Sequence, residues 1–258
     1  MKQLDFTGKS VIVTGGTKGA GRGIAEAFLA AGANVVVCGR SEVAELPTAN
    51  GRVATFVKAD VREVEQIDRV VTAAVDAFGG LDVLVNNAGG APFALAADAS
   101  PRFHEKILAL NLVAPLHFMQ RANAQMQKQE TGGTIVNIAS VSGVRPSPGT
   151  AAYGAAKAGL LSLTSSLAVE WAPKVRVAAV TAGMILTEQA HLHYGDEAGI
   201  ARVAATVPVN RLAVPEDVAN ACLFLASPLA SYVTGTSIVL HGGGEKPAFL
   251  SASNADHS

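Results

Sequence analysis

The sequence predicts an α/β fold: one doubly wound domain in which a seven-stranded parallel sheet is covered by helices on both faces. Three observations predict it. Short β-branched runs bounded by glycine or polar residues recur along the chain, stretches of helical periodicity separate them, and the strand runs are apolar at every position. A sheet with helices on both faces has no solvent side, so its strands carry no polar alternation.

The first strand covers 10–14 (SVIVT) and runs through a glycine-rich turn into a helix over 21–31. A second strand at 34–38 (NVVVC) and a third at 53–58 precede a helix over 63–78. The fourth strand, 83–86, leads into a long helix over 101–129, and the fifth, 134–138, into a helix over 150–171. A sixth strand at 175–180, a helix over 216–226 and a seventh strand at 237–240 complete the pattern. Residues 182–214 interrupt this rhythm as a long insertion, so a substrate lid is expected at about 184–207. The domain is expected to span 1–244, and the polar tail, 245–258, to be partly mobile.

With 258 residues, 49% of them hydrophobic, 16% charged and a mean hydropathy of +0.31, the chain can bury a large core. Twenty basic against twenty-one acidic residues give a formal charge of -1, which offers no footprint for nucleic acid or for an anionic membrane surface. A small-molecule partner fits better. Cys38 and Cys222 sit in apolar runs without partners at metal or disulfide-framework spacing, so both are expected to be buried free thiols. The N-terminal residues lack the features of a signal peptide, and no apolar run reaches the roughly 18 residues of a membrane helix. A cytoplasmic location is expected.

After the first strand comes Thr14-Gly15-Gly16-Thr17-Lys18-Gly19-Ala20-Gly21, then a helix. Glycines at a strand-to-helix turn let the backbone approach a pyrophosphate, whose charge the helix N-terminus meets. The spacing of Gly15, Gly19 and Gly21 resembles the TGxxxGxG of the short-chain dehydrogenase/reductase family. Asn86-Asn87-Ala88-Gly89 resembles that family's NNAG, Asn111 falls where it carries a catalytic Asn, and Ser140, Tyr153 and Lys157 match its Ser with YxxxK. Singly, each has a plain reading as a cap, a packed ring or a solvated charge. Five motifs in the family's order and spacing, from about Gly8 to Gly244, make coincidence a poor account of them.

The resemblance implies a Rossmann-type domain and a hydride transfer between a nicotinamide dinucleotide and a carbonyl or secondary alcohol. Tyr153 and Lys157, four residues apart, share a helix face, where an ammonium favours ionisation of a phenol. By resemblance Tyr153 exchanges the proton with substrate oxygen, Ser140 polarises that oxygen, Lys157 also holds the nicotinamide ribose, and Asn111 holds a water of a proton relay. The same resemblance places Gly15, Thr17, Lys18, Gly19, Ala20, Gly21, Asn87, Ala88 and Gly89 on the cofactor, Asp60 and Val61 beside the adenine, Gly183 and Ile185 at the nicotinamide wall, and Thr187 on the carboxamide. The family's PG reads Ala182-Gly183 here, its VRVN ends on Ala178 and the Asp of its DGG is His241. None of these supplies a reacting group.

The second strand ends in Gly39-Arg40, without a carboxylate for the adenosine ribose and with a guanidinium where a 2'-phosphate would lie. With Lys18, this predicts NADP(H) rather than NAD(H). Met184, Ile185 and Leu186 lean toward a fairly apolar substrate, either a 3-oxoacyl or 3-hydroxyacyl thioester or a bulky ketone such as a steroid. The stretch 118–130 offers only Arg121 and Lys128 against Glu130, a poor landing patch for an acidic carrier protein. His191 and His193 lack a carboxylate-rich surrounding, so no metal site is expected. A noncatalytic dinucleotide sensor is the competing class, and the intact Ser140, Tyr153 and Lys157 argue against it. The helix over 150–171 is apolar or small nearly all round, which predicts a homo-oligomer, a tetramer or dimer.

Overall fold

All five residues of Ser10–Thr14 (β1) are buried, as coverage on both faces demands. In the computed structural model, which describes residues 4–252, the chain continues through Gly19–Ala30 (α1), Asn34–Gly39 (β2), Thr48–Ala49 (β3), Arg52–Val53 (β4), Thr55–Lys58 (β5), Val64–Phe78 (α2) and Val83–Asn86 (β6). Next come Pro101–Leu108 (α3), Ala114–Met126 (α4), Gly133–Ser140 (β7), Ala151–Trp171 (α5) and Val175–Ala182 (β8). His191–Tyr194 (α6), Glu197–Ala205 (α7), Pro215–Ala226 (α8), Ser237–Leu240 (β9) and Ala248–Ala252 (α9) follow. The main sheet has seven parallel strands in the order β5-β2-β1-β6-β7-β8-β9. The order reverses between β1 and β6, where doubly wound folds hold their ligands.

Alternate residues of one strand serve opposite faces. Val11 and Val13 pack with Ile24 and Phe28 of α1 and Val218 and Cys222 of α8. Ile12 packs with Ile67 of α2, Phe118 of α4 and Leu160 of α5. The two cysteines are buried and free, and burial pushes both thiols up, Cys38 to about 12. Among the described residues no helix is long and apolar enough to cross a membrane.

Two expectations need correction. The strand expected at 53–58 divides: Arg52 and Val53 form a hairpin with Thr48 and Ala49, and only Thr55–Lys58 joins the main sheet. Asn50 and Gly51, both at positive φ (49° and 74°), make that turn, as Asn-Gly favours. The helix expected at 101–129 is broken by a π turn over Ala109–Val113 and ends at Met126. Pro115 lacks the N–H that an α-helix would aim at the Asn111 carbonyl, so a regular helix cannot run through. The insertion 182–214 carries α6 and α7, and part of the tail folds as α9. Residues 253–258 of that tail lie outside the described residues.

Candidate active site

A cleft of about 440 Å³ opens at the carboxyl ends of β1, β2, β5 and β6. Gly15, Thr17, Lys18, Gly19, Ala20 and Gly21 form one wall. Gly15 and Gly19 take positive φ (63° and 52°), and a Cβ on Gly21 would lie 2.3 Å from the Gly15 carbonyl oxygen, so the turn needs glycine to bring the α1 N-terminus to the cleft. Asn87 fastens it to the end of β6: its N–H and that of Ala88 donate to Thr14 Oγ1 at 2.9 Å, and its Nδ2 donates to the Thr14 carbonyl at 2.9 Å. Gly39, Arg40, Asp60, Val61, Ala88, Gly89 and Thr187 complete the lining. Glycine backbone and a helix N-terminus at the point of strand reversal fit a dinucleotide.

Two charged residues of this cleft were not singled out from the sequence. Arg62 donates through Nε to Asp60 Oδ1 at 2.9 Å and holds that carboxyl below the usual carboxylate range. Glu188 Oε1 accepts the Gly19 N–H at 3.1 Å, which puts a carboxylate of the chain at the α1 N-terminus. The only sequence signal for either was its position beside Asp60 or Thr187.

A second cavity of about 440 Å³ meets the first where Gly89 lines one and Gly90 the other. Ser140 and Tyr153 line it, with Ser142, Arg145, Ser147, Thr150, Gly183, Met184, His193 and Tyr194 among their neighbours. Ser140 closes β7, not the loop beyond it, and its hydroxyl accepts the Ser142 N–H at 3.1 Å and lowers the pKa of the neighbouring Tyr153 phenol. Lys157, one turn beyond Tyr153 in α5, is buried, and its Nζ donates to the Ile138 carbonyl at 2.7 Å.

Asn111 is buried in the π turn. Its Oδ1 accepts the Gly90 N–H at 2.8 Å, and its Nδ2 donates to the carbonyls of Gly90 at 3.0 Å and Ile107 at 2.9 Å. With the side chain so committed, the main-chain carbonyl, denied its helical donor by Pro115, is the group able to hold a water. A Cβ on Gly89 would lie 2.6 Å from Asn111 Oδ1 and 3.4 Å from Lys157 Nζ, so these three meet in one place.

In the chain alone burial raises the Tyr153 pKa, with Ser140 opposing, and Lys157 Nζ stands 5.5 Å from the ring centroid; the lowering expected from Lys157 and an oxidised nicotinamide together belongs to the complex. One expectation changes here. Of the apolar trio, only Met184 lines the second cavity. Ile185 forms a bridge with Ala213 and packs on the core, which leaves its main chain as the part able to face a nicotinamide, and Leu186 is exposed. Gly183 stays small because a Cβ would lie 2.9 Å from Cα of His241.

Burial pushes the Lys157 ammonium from 10.5 down to about 8. Between those values the unfolded chain holds the proton and the fold does not, so stability rises with pH across the window. The penalty for burying the charge is full below about 8 and gone above 10.5. At about 1.4 kcal/mol for each tenfold in the proton equilibrium, the gain is on the order of 3 kcal/mol and should be missing from Lys157→Met. Urea unfolding of both proteins at several pH values checks this. Parallel stability curves for the two would sink it.

Fold and clefts define a class: an oxidoreductase that acts on alcohols or carbonyls with a nicotinamide dinucleotide. A family profile described as Enoyl-(Acyl carrier protein) reductase matches residues 15–245. L-rhamnose 1-dehydrogenase (NAD(P)(+)) of Azotobacter vinelandii is 37% identical over 245 residues, covering 91% of this chain and 96% of that protein. 3beta-hydroxysteroid dehydrogenase 1 of Eggerthella lenta is 36% identical over 247 residues, covering 93% and 94%. The ligand-free structure of Thermoplasma acidophilum aldohexose dehydrogenase superposes with a TM-score of 0.86 at 30% identity, covering 99% of this chain and 98% of that one. The chain belongs to the short-chain dehydrogenase/reductase family.

Proposed function

We propose that the chain is an NADP(H)-preferring oxidoreductase whose substrate is a neutral, polyhydroxylated carbonyl compound or alcohol of the sugar type. The polar lining of the second cavity carries this reading. Ser142, Ser147, Thr150, His193 and Tyr194 surround the Ser140–Tyr153 pair with donors and acceptors, while Met184 alone of the apolar trio faces in. Ser147 and Thr150 are hydrogen-bonded to each other at 2.6 Å, but a bulky apolar ketone would leave the side chains of Ser142, His193 and Tyr194 without a partner, which costs about 1–3 kcal/mol for each one buried. The sugar-oxidising relatives support the same substrate class, and the steroid dehydrogenase marks the competing one.

In this reading Ser140, Tyr153, Lys157 and Asn111 are the catalytic set, and the first cleft holds the dinucleotide, which when bound supplies or accepts the hydride. Tyr153, kept protonated by burial, gives its proton to the substrate oxygen during reduction, and Ser140 donates a hydrogen bond to that oxygen as charge develops. In oxidation the same phenol must first lose its proton. Lys157 and a water held by the Asn111 carbonyl would pass that proton toward solvent.

The reading includes a cytoplasmic homo-oligomer. Val169 of α5 (82% exposed) and Val113 beside α4 (42%) are the apolar residues of an outer face that a second copy would cover. The test of substrate class is a panel of aldoses, polyols and hydroxysteroids followed by nicotinamide absorbance with both cofactors. Aldoses or polyols should be turned over with the highest kcat/KM. Steroid turnover with no sugar turnover would overturn the reading.

A further inference from the structure

Among the described residues lining the second cavity, Arg145 is the only one with a fixed charge. A lone guanidinium there would draw carboxylates and phosphates into the site. The structure does not leave it alone. Arg145 pairs through a terminal nitrogen with Glu245, 100 residues further along the chain, and donates through the other to the Pro146 carbonyl at 3.1 Å.

The segment that brings Glu245 there is itself tied to the chain that follows α7. The Gly242 carbonyl accepts the Val209 N–H at 3.2 Å, and the Lys246 N–H donates to the Thr206 carbonyl at 3.1 Å. Tyr194, which lines the cavity from α6, lies within electrostatic reach of both members of the pair.

We propose that Arg145, on the lining of the cavity that holds Ser140 and Tyr153, and its ion-pair partner Glu245 form a charge filter that sets the substrate class: their cancelling charges admit neutral hydroxylated substrates and reject anionic ones. This rests on reading the second cavity as the substrate site. The guanidinium, with Nε outside both hydrogen bonds, retains a donor for a substrate hydroxyl. An incoming carboxylate or phosphate would have to displace Glu245 or lie against it, and either repels it. Exposed at 40% and 34% of their side chains, the pair adds little to stability, so its variants should fold.

The test measures kcat/KM at low salt for substrates that differ by one carboxylate: an aldose with its uronic acid, and a neutral ketone with the keto acid of the same skeleton. Glu245→Gln leaves Arg145 uncompensated and should lower the neutral-over-anionic ratio at least about 10-fold. Arg145→Gln leaves the carboxylate and should raise the ratio. Combining both changes should return it toward the wild-type value. A ratio that Glu245→Gln leaves unchanged, or that both single variants move in the same direction, overturns the filter. If the ketone pair shows the pattern while no aldose reacts, the filter stands and the sugar reading fails. If sugars are turned over and the ratio stays flat across the variants, the sugar reading stands and the filter fails.

Discussion

Tyr153→Phe is expected to lower turnover at least ~100-fold in both directions, the lower end of what a positioned proton donor contributes. The phenol lines the cavity with Ser140, and the ring stays when the oxygen is removed, so dinucleotide affinity should stay within about twofold. The pH dependence separates loss of a proton carrier from loss of packing. Because burial raises the phenol, reduction at saturating cofactor should hold across neutral pH and fall only in alkali, while oxidation should climb as the phenolate forms. Residual activity of the Phe variant should show neither limb. Retention of most of the wild-type turnover, or a variant pH profile that overlays the wild type, would remove Tyr153 from its role.

What the sequence made legible were features in which one residue type has one physical use at a fixed local spacing. Gly15, Gly19 and Gly21 belong to this group: two take positive φ and the third has no room for a Cβ, whatever lies elsewhere in the chain. Tyr153 and Lys157 share a helix face by arithmetic alone. The Asn50-Gly51 hairpin and the break at Pro115 were equally local, and signals for both stand in the sequence.

Other features needed the third dimension. Ile185 reads like its apolar neighbours until the bridge to Ala213 turns it onto the core. Arg145 and Glu245 are far apart in sequence, and no pattern joins them. The direction of the Tyr153 pKa in the chain alone follows from its burial, which no local pattern around Tyr153 shows.

Cofactor choice is expected to follow charge at the end of β2. Lys18, Arg40 and Arg62 line the cleft, and so does Asp60, an anion that the sequence alone does not set against those cations. Asp60 is already held by Arg62, so Lys18 and Arg40 are the cations left to meet a 2'-phosphate. Glu188 is engaged by the Gly19 N–H at the α1 N-terminus. A guanidinium on a phosphate gains about 1.5–3 kcal/mol, roughly ten- to a hundredfold in affinity. Arg40 is exposed, so screening should hold the NADP(H) preference near the lower figure and shrink it as salt rises. Gly39→Asp combined with Arg40→Ser should reverse the preference. A Cβ on Gly39 meets nothing closer than Thr17 Oγ1 at 3.5 Å, so the new carboxylate fits where it accepts the ribose hydroxyls and repels a phosphate. The check is kcat/KM with NADPH and NADH for both proteins at low salt. A wild type that uses NADH as well as NADPH would mean that Arg40 points to solvent and that the end of β2 does not read the phosphate.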